Sequence, residues 1–164
     1  MITVICPGSF DPVTEGHLDI IKRSAKMFDH VIIAVMSNFA KVPMFSVEER
    51  TDFLKRATNK LDNVEIVTFD GMLVDLADQK GAKAIIKGLR AISDFEYEFQ
   101  MALTNKKLNR NIETIFLTAS SKFMYLSSSI VKQVASLNGD ISEFVPKCII
   151  EDIKSRFFIE GEKR

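Results

Sequence analysis

The sequence predicts an α/β protein built on a doubly wound, five-stranded parallel sheet, with helices on both faces and a C-terminal helical segment. Two observations favour this fold class. Short apolar runs rich in β-branched residues alternate with segments whose apolar residues recur at helical spacing, which is the pattern of successive βαβ units. In addition, the run VIIAVMS over 31–37 is almost entirely apolar, as expected of a strand buried on both faces of a parallel sheet. Right-handed crossovers between such strands bring their carboxyl ends to one edge of the sheet.

The first strand and helix lie in the segment MITVICPGSFDPVTEGHLDII. A strand over Ile2–Cys6 is followed by a loop rich in proline and glycine and by a helix over about 16–28, with Thr14 as the expected N-cap. Backbone N–H groups at the start of a helix, together with its dipole, favour the binding of an anion. Gly16 lets a phosphate approach the backbone closely, and His17 adds a donor that can also be cationic. In isolation, a Gly-His pair is more often a turn glycine followed by a surface histidine.

The later elements follow in the same alternation. Ser46 and Glu49 form a capping box, Gly81 stands where a glycine commonly ends a helix, and Asp94 can cap a long helix. We expect that long helix to carry one apolar stripe, formed by Phe95, Phe99, Ala102 and Leu103. In chain order, the sequence predicts a strand over 31–37, a helix over about 46–60, a strand over 64–69, a short helix over 73–80, a strand over 84–86, the long helix from 94, a strand over 114–117, a helix from 127 to about 139, and a last helix whose first position is about Pro146.

Length and composition limit the classes of protein to which the chain can belong. With 164 residues it can bury one substantial core, and we expect a single domain over 1–164. No apolar run approaches the roughly 20 residues that span a bilayer, and the N-terminus lacks the pattern of a signal peptide, so we expect a cytoplasmic protein that does not bind membranes. The 22 basic and 22 acidic residues cancel, which disfavours a nucleic-acid binder that neutralises many phosphates. A small anionic substrate needs only a local cluster of positive charge.

Five loops at the carboxyl ends of the predicted strands gather glycines, basic side chains and hydroxyls on one rim. These loops are 8–11, 38–41, 71–73, 87–90 and 119–129. The donors expected on this rim are Ser9, His17, Lys41, Lys87, Arg90, Ser127, Ser128 and Ser129. The chain has no GxxxxGK[ST], GxGxxG or GxSxG motif, which disfavours P-loop enzymes, dinucleotide binders and α/β-hydrolases. Such donors suit phosphoryl or nucleotidyl transfer, in which the nucleophile is already an anion and the protein aligns the reactants and stabilises charge.

Each of these residues also has an ordinary structural interpretation. A lysine in a loop, such as Lys41, is usually solvated, and Glu98 would normally be a solvated helix charge. Ser127–Ser129 are first of all helix caps, although capping explains only one of the three. Lys87 and Arg90, on either side of a tight turn at the intervening glycine, come closer to the pattern of an anion site.

Four segments of the chain resemble bacterial phosphopantetheine adenylyltransferases, a family of Rossmann-like nucleotidyltransferases with a (T/H)xGH signature. The segments are PGSFDPVTEGH, KVPMFSVEER, KGLRAISDFEYEFQMA and YLSSSIVKQVA, and they stand in the family's order and spacing over nearly the whole chain. Other nucleotidyltransferases share the first segment, whereas GLRAxxDFEYE is the most specific. The resemblance implies reversible transfer of the adenylyl group from ATP to 4′-phosphopantetheine, which gives dephospho-coenzyme A and pyrophosphate. It implies in-line attack of the substrate phosphate on the α-phosphate, without a covalent enzyme intermediate.

The resemblance also implies roles for individual residues. The catalytic residues would be His17, Lys41 and Arg90. The ATP-binding residues would be Ser9, Phe10, His17, Gly88, Leu89, Arg90, Glu98, Phe123, Met124, Tyr125, Leu126, Ser127, Ser128 and Ser129. The residues that bind 4′-phosphopantetheine would be Ser9, Lys41, Leu73 and Lys87. Mg²⁺ would be carried with ATP, without dedicated protein ligands, and the chain would assemble as a homohexamer in which Tyr97 and Met101 face a neighbouring subunit.

Two positions depart from the pattern of many members of the family. Ser9 stands in place of threonine, which keeps the hydroxyl, and Lys87 stands in place of arginine, which keeps the charge but loses the bidentate fork. Two other functions stay open at this point. One is a small nucleotidyltransferase that acts on glycerol phosphate or nicotinamide mononucleotide. The other is a regulatory module that binds a nucleotide without catalysis.

Overall fold

The computed structural model describes residues 1–36 and 42–161, in which strands and helices alternate. The strands are β1 (Thr3–Gly8), β2 (His30–Met36), β3 (Val64–Phe69), β4 (Ala84–Leu89) and β5 (Glu113–Thr118). The helices are α1 (Glu15–Met27), α2 (Val47–Thr58), α3 (Leu73–Gln79), α4 (Ile92–Leu108), α5 (Ser128–Ser136) and α6 (Ile150–Gly161). Short 3₁₀ turns lie at Ser121–Phe123 and Lys147–Ile149.

The strands form a five-stranded sheet in the order β3-β2-β1-β4-β5, and every neighbouring pair is parallel. The central strand β1 pairs with β2 on one side and with β4 on the other, so that Ile5 lies opposite Ile32 and Ile85. The chain order therefore reverses between β1 and β4. In open α/β sheets, the gap at the carboxyl ends of two such strands is where ligands bind.

Alternate residues of each strand point to opposite faces of the sheet, and the apolar side chains on both faces are covered by helices. Ile5 belongs to a buried cluster with Leu76 of α3, whereas Val4 and Cys6 pack with Ile20 of α1. A further cluster joins α1, α2, α5 and α6 to β2, and it includes the buried Phe45. The predicted fold class, a doubly wound parallel sheet with helices on both faces, is confirmed.

The first two helices begin as the sequence predicts. Thr14 is the N-cap of α1 and forms a capping box with His17, and Ser46 forms the expected capping box with Glu49 at the start of α2. A capping residue satisfies backbone N–H groups that the first turn leaves unpaired. Thr14 therefore fixes the point at which α1 starts, directly after the loop that follows β1.

Three local predictions are wrong. Asp94 does not cap α4, which begins at Ile92 after Ala91; it lies in the first turn and pairs with Arg90. Gly88 lies inside β4 and not in a turn, since β4 continues to Leu89. Pro146 is the cap of the 3₁₀ turn that precedes α6, and not the first residue of that helix.

Helix α4 differs from the other helices in what it exposes. Its predicted apolar stripe does not face the core, because Phe95, Phe99 and Leu103 are 42%, 45% and 57% exposed. The reason is the position of α4 near the β5 edge of the sheet, where it packs mainly against α3, β4 and β5. Among residues 1–36 and 42–161, no helix is both long enough and apolar enough to cross a bilayer.

Candidate active site

A cleft of about 330 Å³ opens at the carboxyl ends of β1 and β4, where the chain order reverses. Its lining comes from both strands, the loop after β1, the start of α1, helix α4 and the segment that joins β5 to α5. The lining residues are Cys6, Pro7, Gly8, Ser9, Phe10, Thr14, Gly16, His17, Ile20, Ile21, Ile86, Lys87, Gly88, Arg90, Glu98, Ala119, Phe123, Leu126, Ser127, Ser128 and Ser129.

Most of the site residues named from the sequence meet in this cleft. The predicted residues that line it are Ser9, Phe10, His17, Lys87, Gly88, Arg90, Glu98, Phe123, Leu126, Ser127, Ser128 and Ser129. Leu89, Met124 and Tyr125 do not belong to the lining, and the side chains of Met124 and Tyr125 are exposed. Lys41 lies outside the described residues.

Leu73 lies in a second, smaller cavity of about 100 Å³ between α3, α4 and the sheet. Apolar side chains of Ile85, Met101 and Ala102 form much of its wall. Lys87 and Glu98 line both this cavity and the main cleft. The two cavities are therefore neighbours that share one ion pair, and the predicted site residues are divided between them.

His17 is held by the residue that caps its helix. The backbone N–H of Thr14 donates to Nδ1 of His17 at 3.0 Å, and the His17 N–H donates to Oγ1 of Thr14 at 3.3 Å. Since Nδ1 accepts a hydrogen bond, the proton of the neutral ring lies on Nε2. The rings of His17 and Phe10 also meet edge to face, with 5.2 Å between their centroids.

The charge of His17 differs from the sequence expectation. Burial and, to a smaller extent, the nearby positive charges of Arg90 and Lys87 together lower the pKa of His17 to about 4. The imidazole is therefore neutral at pH 7, and the expectation that it can also be cationic does not hold there. It offers the cleft an Nε2–H donor without a positive charge.

The two cations that line the cleft are both paired with carboxylates. Nζ of Lys87 lies 3.1 Å from Glu98, so the interpretation of Glu98 as a solvated helix charge is wrong. Nε of Arg90 donates to Asp94 at 3.0 Å, and another nitrogen of Arg90 donates to the carbonyl of Leu126 at 2.8 Å. These contacts fix both positive groups in place before any ligand arrives.

The loop that carries Ser9 and Phe10 is clamped by buried charged groups. Arg50 of α2 is only 2% exposed and donates to the carbonyls of Phe45 and Ser9, at 3.1 and 2.7 Å. From the other side, the hydroxyl of Ser128 donates to the carbonyl of Pro12 at 2.8 Å. Helices α2 and α5 thus hold one loop between them.

Asp11, in the same loop, is the second buried anchor. It accepts hydrogen bonds from the N–H groups of Met44 and Phe45, at 3.0 and 2.9 Å, and from Lys132 of α5 at 2.8 Å. Burial opposes ionisation of Asp11, but these hydrogen bonds outweigh it and hold the pKa of the carboxyl below its ordinary value. Asp11 is therefore an anion at neutral pH.

Sequence reasoning missed Arg50, Asp11 and Lys132. Arg50 follows the capping box of α2 by one residue, and a charged residue in that position is ordinarily solvated. Asp11 belongs to the first recognised segment, which was the one signal that pointed to it. Its partners lie 33, 34 and 121 residues away, beyond the reach of any local pattern.

Comparison with known proteins identifies the family. A model of the cytidylyltransferase-like family matches residues 5–134. A phosphopantetheine adenylyltransferase from Caldanaerobacter subterraneus subsp. tengcongensis is 57% identical over 96% of this chain and 98% of its own length. The chain belongs to the phosphopantetheine adenylyltransferase family. Phosphopantetheine adenylyltransferases from Lachnoclostridium phytofermentans and Clostridium perfringens strain 13 are 55% and 51% identical, over 93% and 96% of this chain and 94% and 97% of their own lengths.

The similarity to solved structures extends the fold to more distant proteins. A crystal structure assigned to a nicotinate-nucleotide adenylyltransferase from Vibrio parahaemolyticus has a TM-score of 0.70 at 15% identity and covers 98% of this chain and 94% of its own. A crystal structure of a lipopolysaccharide core biosynthesis protein from Thermoplasma volcanium has a TM-score of 0.55 at 21% identity and covers 74% of this chain and 99% of its own. At these identities the likeness concerns the fold alone.

The resemblance to phosphopantetheine adenylyltransferases in the four sequence segments is confirmed by the relatives at 51–57% identity.

Proposed function

We propose that the protein catalyses the reversible transfer of the adenylyl group from ATP to 4′-phosphopantetheine, with dephospho-coenzyme A and pyrophosphate as products. Membership of the phosphopantetheine adenylyltransferase family supports this reaction. The observation that carries it in the structure is the cleft itself, in which His17 of α1 lines one cavity with Lys87 of β4 and with Arg90, which directly follows β4. Donors without an activated nucleophile suit a transfer between two phosphate-bearing reactants.

In the proposed reaction, a phosphate oxygen of 4′-phosphopantetheine forms a bond to the α-phosphorus of ATP. The bond from that phosphorus to the bridging oxygen of pyrophosphate breaks in line, and pyrophosphate leaves with its electron pair. The attacking phosphate is already an anion, so the step requires no general base and no covalent enzyme intermediate. The protein aligns the two reactants and stabilises charge on the equatorial oxygens.

The catalytic roles fall on His17, Lys41 and Arg90. The neutral Nε2–H of His17 donates to the α-phosphate, and its fixed orientation supports such a role, since a preorganised donor requires no reorientation during the reaction. Arg90 is held by Asp94 and Leu126 at the edge of the same cleft. Lys41 is included because of the family resemblance.

ATP occupies the main cleft, with its phosphates at the start of α1. The ATP-binding set is Ser9, Phe10, His17, Gly88, Leu89, Arg90, Glu98, Phe123, Met124, Tyr125, Leu126, Ser127, Ser128 and Ser129. The cleft lining supports most of this set, whereas Leu89, Met124 and Tyr125 are included because of the family resemblance. Mg²⁺ enters as part of the ATP complex, in keeping with a lining whose one carboxylate, Glu98, is already paired with Lys87.

The second substrate binds where the two cavities meet. Its phosphate binds near Lys87 and Ser9, and Lys41 is included in this set because of the family resemblance. The pantetheine arm of the substrate extends toward Leu73. The apolar wall of the smaller cavity supports this direction, because the arm is less polar than the phosphate. Lys87 lines both cavities and is therefore suited to the junction between phosphate and arm.

The proposal extends to assembly and location. The chain assembles as a homohexamer, a number that rests on the family resemblance. The exposed apolar side chains of α4 support a contact between this helix, including Tyr97 and Met101, and a neighbouring subunit. Both substrates are small, diffusible molecules, and we place the reaction in the cytoplasm, with no nucleic acid or membrane as a partner.

The test is release of pyrophosphate by the purified protein in the presence of ATP, Mg²⁺ and 4′-phosphopantetheine. His17→Ala should lose at least about 100-fold in kcat while its far-UV circular dichroism stays that of the wild type. Glycerol phosphate and nicotinamide mononucleotide serve as alternative acceptors in the same assay. Turnover of one of these in preference to 4′-phosphopantetheine would overturn the proposed substrate, and nucleotide binding without any turnover would overturn the enzyme.

A further inference from the structure

The segment between β5 and α5 forms one wall of the cleft and is held at both of its ends by charged side chains. Ala119, Phe123 and Leu126 of this segment line the cleft. Arg90 holds the far end through the carbonyl of Leu126, at 2.8 Å. We call residues 119–127 the wall segment.

A pair of residues on α1 holds the near end. Nη1 of Arg23 donates to the carbonyl of Thr118 at 2.7 Å and to Asp19 at 3.2 Å. The hydroxyl of Ser120 donates to the same carboxylate oxygen of Asp19 at 2.8 Å. Asp19 therefore joins α1 to a residue that lies 101 positions further along the chain.

The environment of Asp19 keeps this anchor charged and in place. Its side chain is 18% exposed, unlike that of a typical surface carboxylate. Burial opposes ionisation, but the hydrogen bonds from Ser120 and Arg23 outweigh it and hold the pKa of Asp19 below its ordinary value. Hydrogen bonds to a charged acceptor are stronger than those between neutral groups.

The same helix carries His17, two residues before Asp19. Helix α1 thus carries the imidazole and, through Asp19 and Arg23, also holds the near end of the wall segment. The second cavity, which contains Leu73, has no residue in common with the wall segment or with the pair Asp19 and Arg23.

We propose that Asp19 is a positioning residue for the nucleotide: by anchoring Ser120 it fixes the wall segment relative to His17, and so sets the affinity for ATP without affecting the acceptor. This inference rests on the proposed function. It is specific to ATP, because the contacts of Asp19 lead to the wall segment, which contributes Phe123 and Leu126 to the proposed ATP site and no residue to the proposed site of 4′-phosphopantetheine.

Steady-state kinetics of Asp19→Asn in the full chain test the inference. Arg23 and Ser120 both donate to Oδ2 of Asp19, so in the variant they share a neutral amide oxygen in place of a charged carboxylate oxygen, which is a weaker acceptor. The KM for ATP should rise about tenfold, as expected for loss of a charged hydrogen-bond acceptor, while the KM for 4′-phosphopantetheine changes by less than about twofold. The ATP dissociation constant, measured by calorimetry without the second substrate, should rise by a similar factor.

Asp52→Asn is the matched control. Asp52 also forms an i,i+4 ion pair with an arginine, Arg56, at 2.9 Å, but it lies on α2 and outside the cleft lining. This variant loses the same kind of group from a helix and should leave both KM values at the wild-type level. A general effect of a lost Asp–Arg pair on stability would appear in both variants.

A double-mutant cycle separates the proposed contact from other effects of Asp19. Ser120→Ala removes the hydroxyl alone and should raise the KM for ATP by about threefold. Asp19→Asn and Ser120→Ala combined should raise the KM for ATP by less than the product of the two single effects, since both act on the same hydrogen bond. Ser120→Ala also keeps the test available if Asp19→Asn fails to fold.

Three results would overturn the inference: an unchanged KM for ATP in Asp19→Asn, an equal rise in both KM values, or full additivity of the two substitutions. Each is read against wild-type turnover in the same assay. Wild-type protein that releases pyrophosphate while Asp19→Asn behaves normally contradicts the role of Asp19 alone, whereas inactive wild-type protein contradicts the proposed function.

Discussion

Gly16 and Gly88 line the same cleft for different physical reasons. A Cβ atom on Gly88 would lie 2.9 Å from Cγ1 of Ile20, so this glycine is required for α1 to pack against β4. A Cβ atom on Gly16 would have no neighbour closer than 3.5 Å, which is ordinary contact. Packing within the protein therefore explains Gly88 but not Gly16. Close approach of a phosphate to the backbone at the start of α1 would account for Gly16.

Gly16→Ala should separate stability from activity. Alanine is the better helix former, so the free energy of unfolding should stay constant or rise by up to about 1 kcal/mol. The added methyl group stands where a phosphate approaches the backbone, and kcat/KM should fall on the order of 10- to 100-fold. Urea denaturation and the pyrophosphate assay measure the two effects on the same preparation.

Gly81→Ala is the converse control. Gly81 has open space around it but a φ of +62°, at the end of α3. Alanine there should lower the free energy of unfolding by about 1 kcal/mol and leave kcat/KM unchanged, because the cost arises from the backbone conformation alone. A Gly16→Ala protein with wild-type kinetics would show that the start of α1 is not a phosphate site.

His17 shows which part of a site a sequence pattern can reveal. The spacing from Thr14 to His17 lies within one helical turn, and it indicated the capping position correctly. The charge of the imidazole depends on burial and on Lys87 and Arg90, which follow about 70 residues later. No local pattern contains that information, and for this reason the expectation that the donor can also be cationic does not hold at pH 7.

At the scale of elements, the loop after β1 depends on α2 and α5 for its shape. Arg50 holds the carbonyl of Ser9, Ser128 holds that of Pro12, and Asp11 binds two backbone N–H groups and Lys132. Each contact joins elements that are far apart in the chain. The loop is therefore positioned by tertiary contacts and not by its own sequence.

Asp11→Ala should be strongly destabilising. It leaves the N–H groups of Met44 and Phe45 and the ammonium of Lys132 without their acceptor, and the expected loss in free energy of unfolding is about 3 kcal/mol. Asp62→Ala, at an exposed turn between α2 and β3, should stay within about 0.5 kcal/mol of the wild type. Urea denaturation at pH 7 measures both.

The wild type and Asp11→Ala, compared at several pH values, also test the pKa of Asp11. Its folded-state pKa lies below the ordinary value of 3.8, so the carboxylate contributes stability that is complete above about pH 4 and is lost as the pH falls through the folded-state pKa. The difference between the wild type and Asp11→Ala should therefore be constant from about pH 8 to 5 and should narrow below about pH 4. A difference that grows on acidification would contradict the assignment.

The sequence predicted the helices and strands better than their edges. The hydrophobic pattern identified every strand and most helix starts, since a helix with one buried face has apolar residues at helical spacing and a fully buried strand is a continuous apolar run. Asp94 misled because an acidic residue suits both a cap and the first turn of a helix, and the pairing with Arg90 decided between them. Gly88 misled because a glycine that allows close packing cannot be distinguished by sequence from one that allows a turn.

At the scale of the whole molecule, the alternation of strands and helices was sufficient to predict the parallel sheet and the rim on which the donors meet. The strand order β3-β2-β1-β4-β5 then brings residues of α1, β4 and α5 into one cleft. The division of the site residues between two cavities was not predictable, because it depends on where α4 lies against the sheet.

Helix α4 provides a prediction about assembly. Tyr97 is 64% exposed and forms part of an apolar surface on this helix, so Tyr97→Glu should fold normally but shift the protein from the proposed hexamer toward smaller species. Sedimentation velocity of the wild type and the variant at equal concentration measures the shift.

Leu137→Glu serves as the control for this experiment. Leu137 is 78% exposed at the end of α5, and a charge there should leave the sedimentation coefficient unchanged. A Tyr97→Glu protein that sediments like the wild type would exclude Tyr97 from the subunit contact, and a monomeric wild type would exclude the hexamer itself.

An imidazole whose Nδ1 lone pair is occupied by the amide of Thr14, and whose Nε2 retains its proton, has no lone pair left with which to deprotonate water. A triphosphate that waits in the cleft for its acceptor is then not exposed to a hydroxide generated by this side chain. The bond that starts the helix would in this way also protect the nucleotide from wasteful hydrolysis.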